Sequence, residues 1–284
     1  MPFQKTKMPT LSVEELSQEL EKLGSLTKIA HKYGVSKNTI VYYFKKLNVP
    51  YKTKVSQYSV NHDFFANDSE QSFYWAGFLA ADGCISIRKN FNNRNIILCL
   101  GEKDLSHLQN FKEALKSEHP IKSRIVKNSE RNADWNDRTL NIITIGSHKL
   151  VNDLERFNVV PRKTKIYDFP DWLIGNPLIH HFMRGYFDGD GNVWIHKRDG
   201  MKNQYRLSVA GNLSFLNKFG NVICNELGFK NKSINFNGGV NVLSYGGNNL
   251  TQKVGSYLYD NATVFLNRKY DLWKECCDDR DNNR

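Results

Sequence analysis

GFLAADGCISIRK runs from Gly77 to Lys89, and GYFDGDGNVWIHK runs from Gly185 to Lys197. Laid over one another at an offset of 108, they share Gly77/Gly185, Asp82/Asp190, Gly83/Gly191, Ile87/Ile195 and Lys89/Lys197. A second pair of segments, NVVPRKT around Arg162 and Lys163 and TVFLNRKY around Arg268 and Lys269, coincides at an offset of 106. Two separate matches at nearly one offset mark an internal duplication. The order of elements repeats as well. A helix carries the acidic motif at its end, and alternating segments follow as a hairpin (Ile85 to Arg88 with Asn95 to Leu100; Val193 to His196 with Tyr205 to Val209). A helix (Asp104 to Leu115; Leu213 to Leu227), two more strands and a last helix (His148 to Phe157; Asn249 to Tyr259) complete each copy. The expected class is α+β, with two pseudo-symmetric αββαββα repeats. Their strands put apolar residues on one face and Ser, Arg, Lys, Asn, His or Trp on the other, a surface made to meet something charged.

In each motif small residues recur four apart, Gly77 and Ala81, then Gly185 and Gly189. That spacing lets two helix backbones approach closely, and such packing would set Asp82 and Asp190 side by side at the helix ends. Gly83 and Gly191 are expected to release the chain as C-cap glycines. Two carboxylates forced together at negative helix ends repel unless a cation compensates. Mg²⁺ wants hard oxygen ligands and keeps water, so carboxylates, water and a substrate phosphate together make a site for phosphodiester hydrolysis. Asp-Gly is also an ordinary turn dipeptide; its recurrence in register duplicates is what argues against a mere turn.

Outward from the repeats, residues 1–47 read as a small helical unit. Ser12 and Glu15 form a capping box, Gly24 ends the first helix, and Ala30, Gly34 and Ser36 fall at helix-turn-helix spacing with Ile29, Val35 and Ile40 as core. Lys37, Asn38, Thr39 and Tyr42 then lie on the outer side of a recognition helix. Residues 48–68 read as a linker, 69–170 and 171–275 as the repeats, and 276–284 as a tail. The chain carries 40 Lys+Arg against 29 Asp+Glu, a net charge of +11, which favours a polyanionic partner. Five cysteines form no CxxC pair, so reduced thiols are expected rather than a zinc site or a disulfide framework. The stretch MPFQKTKMPT has no apolar run of the signal-peptide kind, and no segment is apolar enough to span a membrane, so an intracellular protein without a membrane partner is expected.

The motifs WAGFLAADG at Trp75 to Gly83 and MRGYFDGDG at Met183 to Gly191 resemble those of the LAGLIDADG homing endonucleases, over about residues 69 to 275. The resemblance implies a pseudo-twofold monomer, with the motif helices at the repeat interface and two four-stranded sheets forming a saddle over double-stranded DNA. It implies metal ligation by Asp82 and Asp190, with the carbonyls of Ala81 and Gly189 contributing. It also implies Mg²⁺-dependent hydrolysis of both strands leaving 3′ overhangs, with Mn²⁺ substituting. The sequence departs from the family at Ala80, where the second copy has Asp188, and at Met183 and Arg184. Lys163 and Lys269 are candidates for the basic catalytic groups, with phosphate contact or a structural role as open alternatives. If Ile85 and Ile87 point inward, Ser86 and Arg88 face DNA, and so do Trp194, His196, Arg206 and Ser208; Lys89 and Lys197 suit phosphate. A register slip of one would reverse these assignments. His180 and His181 are expected to cap or pack the second motif helix. The competing readings are a non-catalytic DNA-binding regulator and an intron RNA maturase.

Overall fold

The computed structural model describes residues 11–51, 58–88, 93–127, 136–197, 203–230 and 232–281, and the chain divides into two compact units, Met1–Gln57 and Tyr58–Arg284. In the first unit, helices α1 (Val13–Leu23), α2 (Leu26–Lys32) and α3 (Lys37–Lys46) are each started by a serine. Ser12 Oγ accepts from the Glu15 amide at 3.1 Å while Glu15 accepts from the Ser12 amide at 2.8 Å, satisfying two helix-end donors. Leu16, Ile29, Ile40 and Phe44 are fully buried, whereas Val35, expected in this core, is only partly buried. Val49 is also buried, and Tyr51 packs edge-on against Phe44. Residues 48–51 therefore belong to this unit rather than to a linker, because a core this small recruits every apolar residue in reach.

The linker's other end is also structured. Phe65 is fully buried in the second unit, and Asn61 and Ser59 exchange backbone hydrogen bonds with Leu115 and Glu118. Only residues 52–57 of that segment lie outside the described residues. The first repeat then runs α4 (Glu70–Ala81), β1 (Gly83–Arg88), β2 (Asn93–Gly101), α5 (Leu105–Ala114), β3 (Ile121–Val126), β4 (Arg138–Gly146) and α6 (His148–Leu154). The second runs α7 (Ile179–Asp190), β5 (Gly191–His196), β6 (Gln204–Gly211), α8 (Leu213–Leu227), β7 (Ile234–Asn237), β8 (Val240–Gly246) and α9 (Asn248–Tyr259). Each is αββαββα, and each antiparallel sheet has the same strand order, β1-β2-β4-β3 and β5-β6-β8-β7. Ile96, Leu98 and Leu100 on β2, and Tyr205, Leu207 and Val209 on β6, are buried at every second position beneath the helices. The intervening residues form an open face. No helix among the described residues is long and apolar enough to cross a membrane.

A further helix, α10 (Asn267–Asp281), replaces the expected tail. Trp273 stacks on Tyr259 at 5.3 Å and lies where a Cβ on Gly255 would meet it at 2.1 Å. Cys276 is buried, and Tyr205 donates to Asp279 at 2.6 Å. These contacts extend the helix well past residue 275.

The motif helices α4 and α7 cross at the centre. A Cβ on Gly77 would fall 2.0 Å from the Phe182 carbonyl oxygen, and one on Gly185 would fall 1.9 Å from that of Tyr74. Gly189 likewise faces the Ala81 methyl at 2.3 Å. At Gly77 and Gly185 backbone thus meets backbone, and only glycine fits at those two positions. Gly83 and Gly191 act differently from the expectation. Neither has a positive φ, and Gly191 is extended at −92°. Their missing Cβ instead makes room for the preceding turn, where the carbonyl oxygens of Leu79 and Phe187 would lie 2.7 and 2.4 Å away. The glycines are steric necessities of a helix that turns directly into a strand.

Candidate active site and nucleic-acid interface

The crossing brings the two helix ends together. Asp82 closes α4, Asp190 closes α7, and Asp82 Oδ2 lies 3.5 Å from the Cβ position of Gly189. Both acids are solvent-exposed by surface area, yet the surrounding protein displaces much of the water around each carboxyl. That burial, followed by the Asp82 charge, raises Asp190 to about 6. Asp82 is raised as well by burial, against the pull of Lys269 and Lys163.

The two duplicate-matched lysines reach the same place from opposite repeats. Lys163 Nζ donates to the carbonyls of Ala81 at 3.2 Å and Gly83 at 2.8 Å. Lys269 Nζ donates to those of Phe187 at 2.9 Å, Asp188 at 2.7 Å and Gly189 at 3.2 Å. Both are buried, and Lys163 at Ala81 and Lys269 at Asp188 and Gly189 reach carbonyls that a helix end leaves without intrahelical partners. Burial lowers both pKa values, that of Lys269 to about 8, while the acids oppose the shift. A groove beside Asp190 is lined by Ala81, Lys163, Tyr167, Tyr186, Asn212 and Asn241.

The donor set fits a hard divalent cation. It offers two carboxylates that disfavour each other's ionisation and two carbonyls, each with one lone pair left after its lysine bond. Among the described residues no group of three or more His, Cys, Asp or Glu assembles, so a soft-metal cluster has no candidate there.

The second motif's departures have a structural basis that sequence reasoning missed. Arg184 is fully buried; its guanidinium donates to Val264 O, Leu258 O and, at 2.5 Å, to Glu70 of α4. Glu70 in turn accepts from the Thr263 amide and hydroxyl at 2.8 Å each. Asp188, also fully buried, accepts from Tyr74 at 2.7 Å, Tyr259 at 2.6 Å and the Leu266 amide at 2.8 Å. His180 and His181 lie in the first turn of α7, and His181 Nδ1 pairs with Arg184. His181 thereby joins this network, with the His180 ring against it at 3.8 Å.

The open faces of the sheets start at the acids. Ser86, Trp194, His196, Arg206 and Ser208 lie on them, with Lys197 exposed just past β5. Lys89 and the side chain of Arg88 lie outside the described residues. Ile87, expected inward, is 41% exposed because it sits at the end of β1 beyond the helices. Lys122 and Arg124 on β3 join this face and were not anticipated. Among the described residues no strand contains an Asp or Glu; Lys122, Arg124, Arg138 and Arg206 stand on the open side, whereas Arg94 points the other way, to Asn152 of α6 and Glu155. That absence is readable from sequence once strands are placed. In the separate N-terminal unit, Lys37, Asn38 and Tyr42 are exposed on α3, while Thr39 is half-buried and bonds Ser36.

With this geometry established, comparison with known proteins is informative. The family model for a LAGLIDADG-like domain matches residues 69–166. The homing endonuclease I-WcaI bound to its DNA recognition sequence superposes with a TM-score of 0.55 at 16% identity, over 73% of this chain and 90% of that one. The LAGLIDADG meganuclease I-AabMI bound to uncleaved DNA gives 0.47 at 14%, over 72% and 88%. At 16% identity the likeness to I-WcaI is one of fold. No curated protein matches the sequence.

Proposed function

We propose that this chain, a LAGLIDADG-like domain over residues 69–166 followed by a second repeat of the same fold, is a site-specific homing endonuclease. It would hydrolyse both strands of a long double-stranded DNA target as a monomer and leave 3′ overhangs. The observation that carries this reading is the pairing of Asp82 with Asp190 where two acid-free sheets begin. Strands that carry no carboxylate among the described residues, set in a chain of net charge +11, would accept a phosphate backbone up to the paired acids.

Asp82 and Asp190 would hold the divalent metal, Mg²⁺ or in its place Mn²⁺, with the carbonyls of Ala81 and Gly189. When bound, that ion offsets the charge developing on the scissile phosphate and lowers the pKa of attacking water. Lys163 and Lys269 tie down the helix-end carbonyls, which fixes where the carboxylates point. Their positive charge favours the ionised form of both acids. In the N-terminal unit, α3 would enter a major groove with Lys37, Asn38, Thr39 and Tyr42 and lengthen the footprint.

The test is cleavage of a duplex library by wild type, Asp82→Asn and Asp190→Asn with Mg²⁺. Discrete double-strand cuts that fall by at least about a hundredfold in either variant are expected. Tight binding without cutting in any divalent metal would replace the nuclease by a DNA-binding regulator. Preference for folded RNA over duplex DNA would favour a maturase.

A further inference from the structure

Because the two sheets share one topology, their registers can be compared position by position. Ser86 pairs with Asn95 and Asn95 with Gly146 in the first sheet; Trp194 pairs with Arg206 and Arg206 with Gly246 in the second. Both rows lie on the open face, one step beyond the row nearest the acids. Their chemistry differs sharply. The first row presents a carboxamide between a small hydroxyl and a glycine. The second presents a guanidinium 5.9 Å over the Trp194 ring, with the His196 ring stacked on that indole at 5.2 Å and 15°. On the other side Gly246 presents no side chain; a Cβ there would only touch Arg206 Nε, at 3.5 Å. Among the described residues Arg206 has no carboxylate partner.

An arginine steadied by an aromatic face loses less rotamer freedom when it docks. Its two parallel N–H groups match O6 and N7 of guanine in the major groove, whereas a carboxamide matches N6 and N7 of adenine. We propose, resting on the reading that the open faces meet DNA, that Arg206 positioned by Trp194 selects guanine in one half of the target. Asn95 selects adenine at the pseudo-symmetric position of the other half.

The test is selection by gel retardation of the full chain, without divalent metal, from a duplex library, followed by sequencing of the bound fraction. Wild type should prefer guanine at one position and adenine at its mirror position, each by about tenfold to a hundredfold. Arg206→Asn should change guanine to adenine there and leave all other positions as they were. Asn95→Arg should do the converse, and Trp194→Ala should weaken the guanine preference alone. The proposal is overturned if Arg206→Asn weakens binding equally for every sequence, the signature of a phosphate contact. If wild type retains no duplex at all, the DNA-binding reading itself is wrong, a result distinct from retention without base preference.

Discussion

The ends of the two motif helices share one half of their chemistry and differ in the other. Both finish on Asp-Gly, both have a buried lysine bonded to their last carbonyls, and both cross through a glycine. Only α7 carries the buried Arg184 and Asp188; α4 has Ala76 and Ala80 at the matching places. The shared features are those a two-acid site needs from each half. The unshared ones join α7 to Glu70 and Tyr74 of α4 and to the Thr263–Leu266 segment, locking one specific pairing of unlike repeats. A duplicated chain could in principle pair like repeats with like between two molecules. A polar lock present on one side only disfavours this, since it would leave buried charges unpartnered.

Substitutions at the shared crossing should have the largest effect and the most equal one. Gly77→Ala and Gly185→Ala each place a methyl within about 2 Å of a carbonyl oxygen, so both should cost about 3 kcal/mol or more in urea unfolding. Markedly unequal losses would break the symmetry inferred for the crossing. Next comes the unshared lock. Glu70→Gln leaves the Arg184 guanidinium buried without its charge partner, and a loss of about 3 kcal/mol at neutral pH is expected.

That loss should depend on pH in a definite direction. Burial would raise the Glu70 pKa, but the Thr263 bonds and the Arg184 charge together hold it below its ordinary 4.5. Its contribution is therefore complete above 4.5 and is lost as pH falls through the lower folded value. His181, held down to about 4 by burial, stays neutral over most of that range. The stability gap between wild type and Glu70→Gln should stay level from pH 7 to about 5 and narrow below about 4.

The lysines sharpen the comparison through activity. Lys269 bonds three carbonyls and Lys163 two, so Lys269→Met should slow single-turnover cleavage by about tenfold to a hundredfold and Lys163→Met by less. Equal losses, or none, would mean that the lysines do not orient the acids. The smallest effect is expected at Tyr259→Phe, which removes one of three donors to Asp188 and should cost about 1 kcal/mol in thermal unfolding.

The sequence by itself determined the duplication, the order αββαββα, the two Asp-Gly ends and the paired lysines, because each is a local or periodic pattern that recurs at a nearly fixed offset. It also announced the close crossing, since Gly77 and Gly185 leave no other reason for small residues there. What it left undecided depends on parts distant along the chain. Arg184 meets Val264, and Asp188 meets Tyr74, contacts that no periodicity encodes. Residues 276–281 carry too little apolar pattern to look like more than a tail, and it is burial of Cys276 and the Tyr205–Asp279 bond, continuing the helix that Trp273 anchors on Tyr259 and Gly255, that join them to the core. Gly83 and Gly191 read as left-handed caps because that is the common use of glycine at a helix end. Only the tertiary path showed that they yield space to Leu79 and Phe187 rather than adopt a positive φ. Local pattern fixes which elements form; the energy of a buried polar contact or a missing Cβ is set by whichever distant atom arrives beside it.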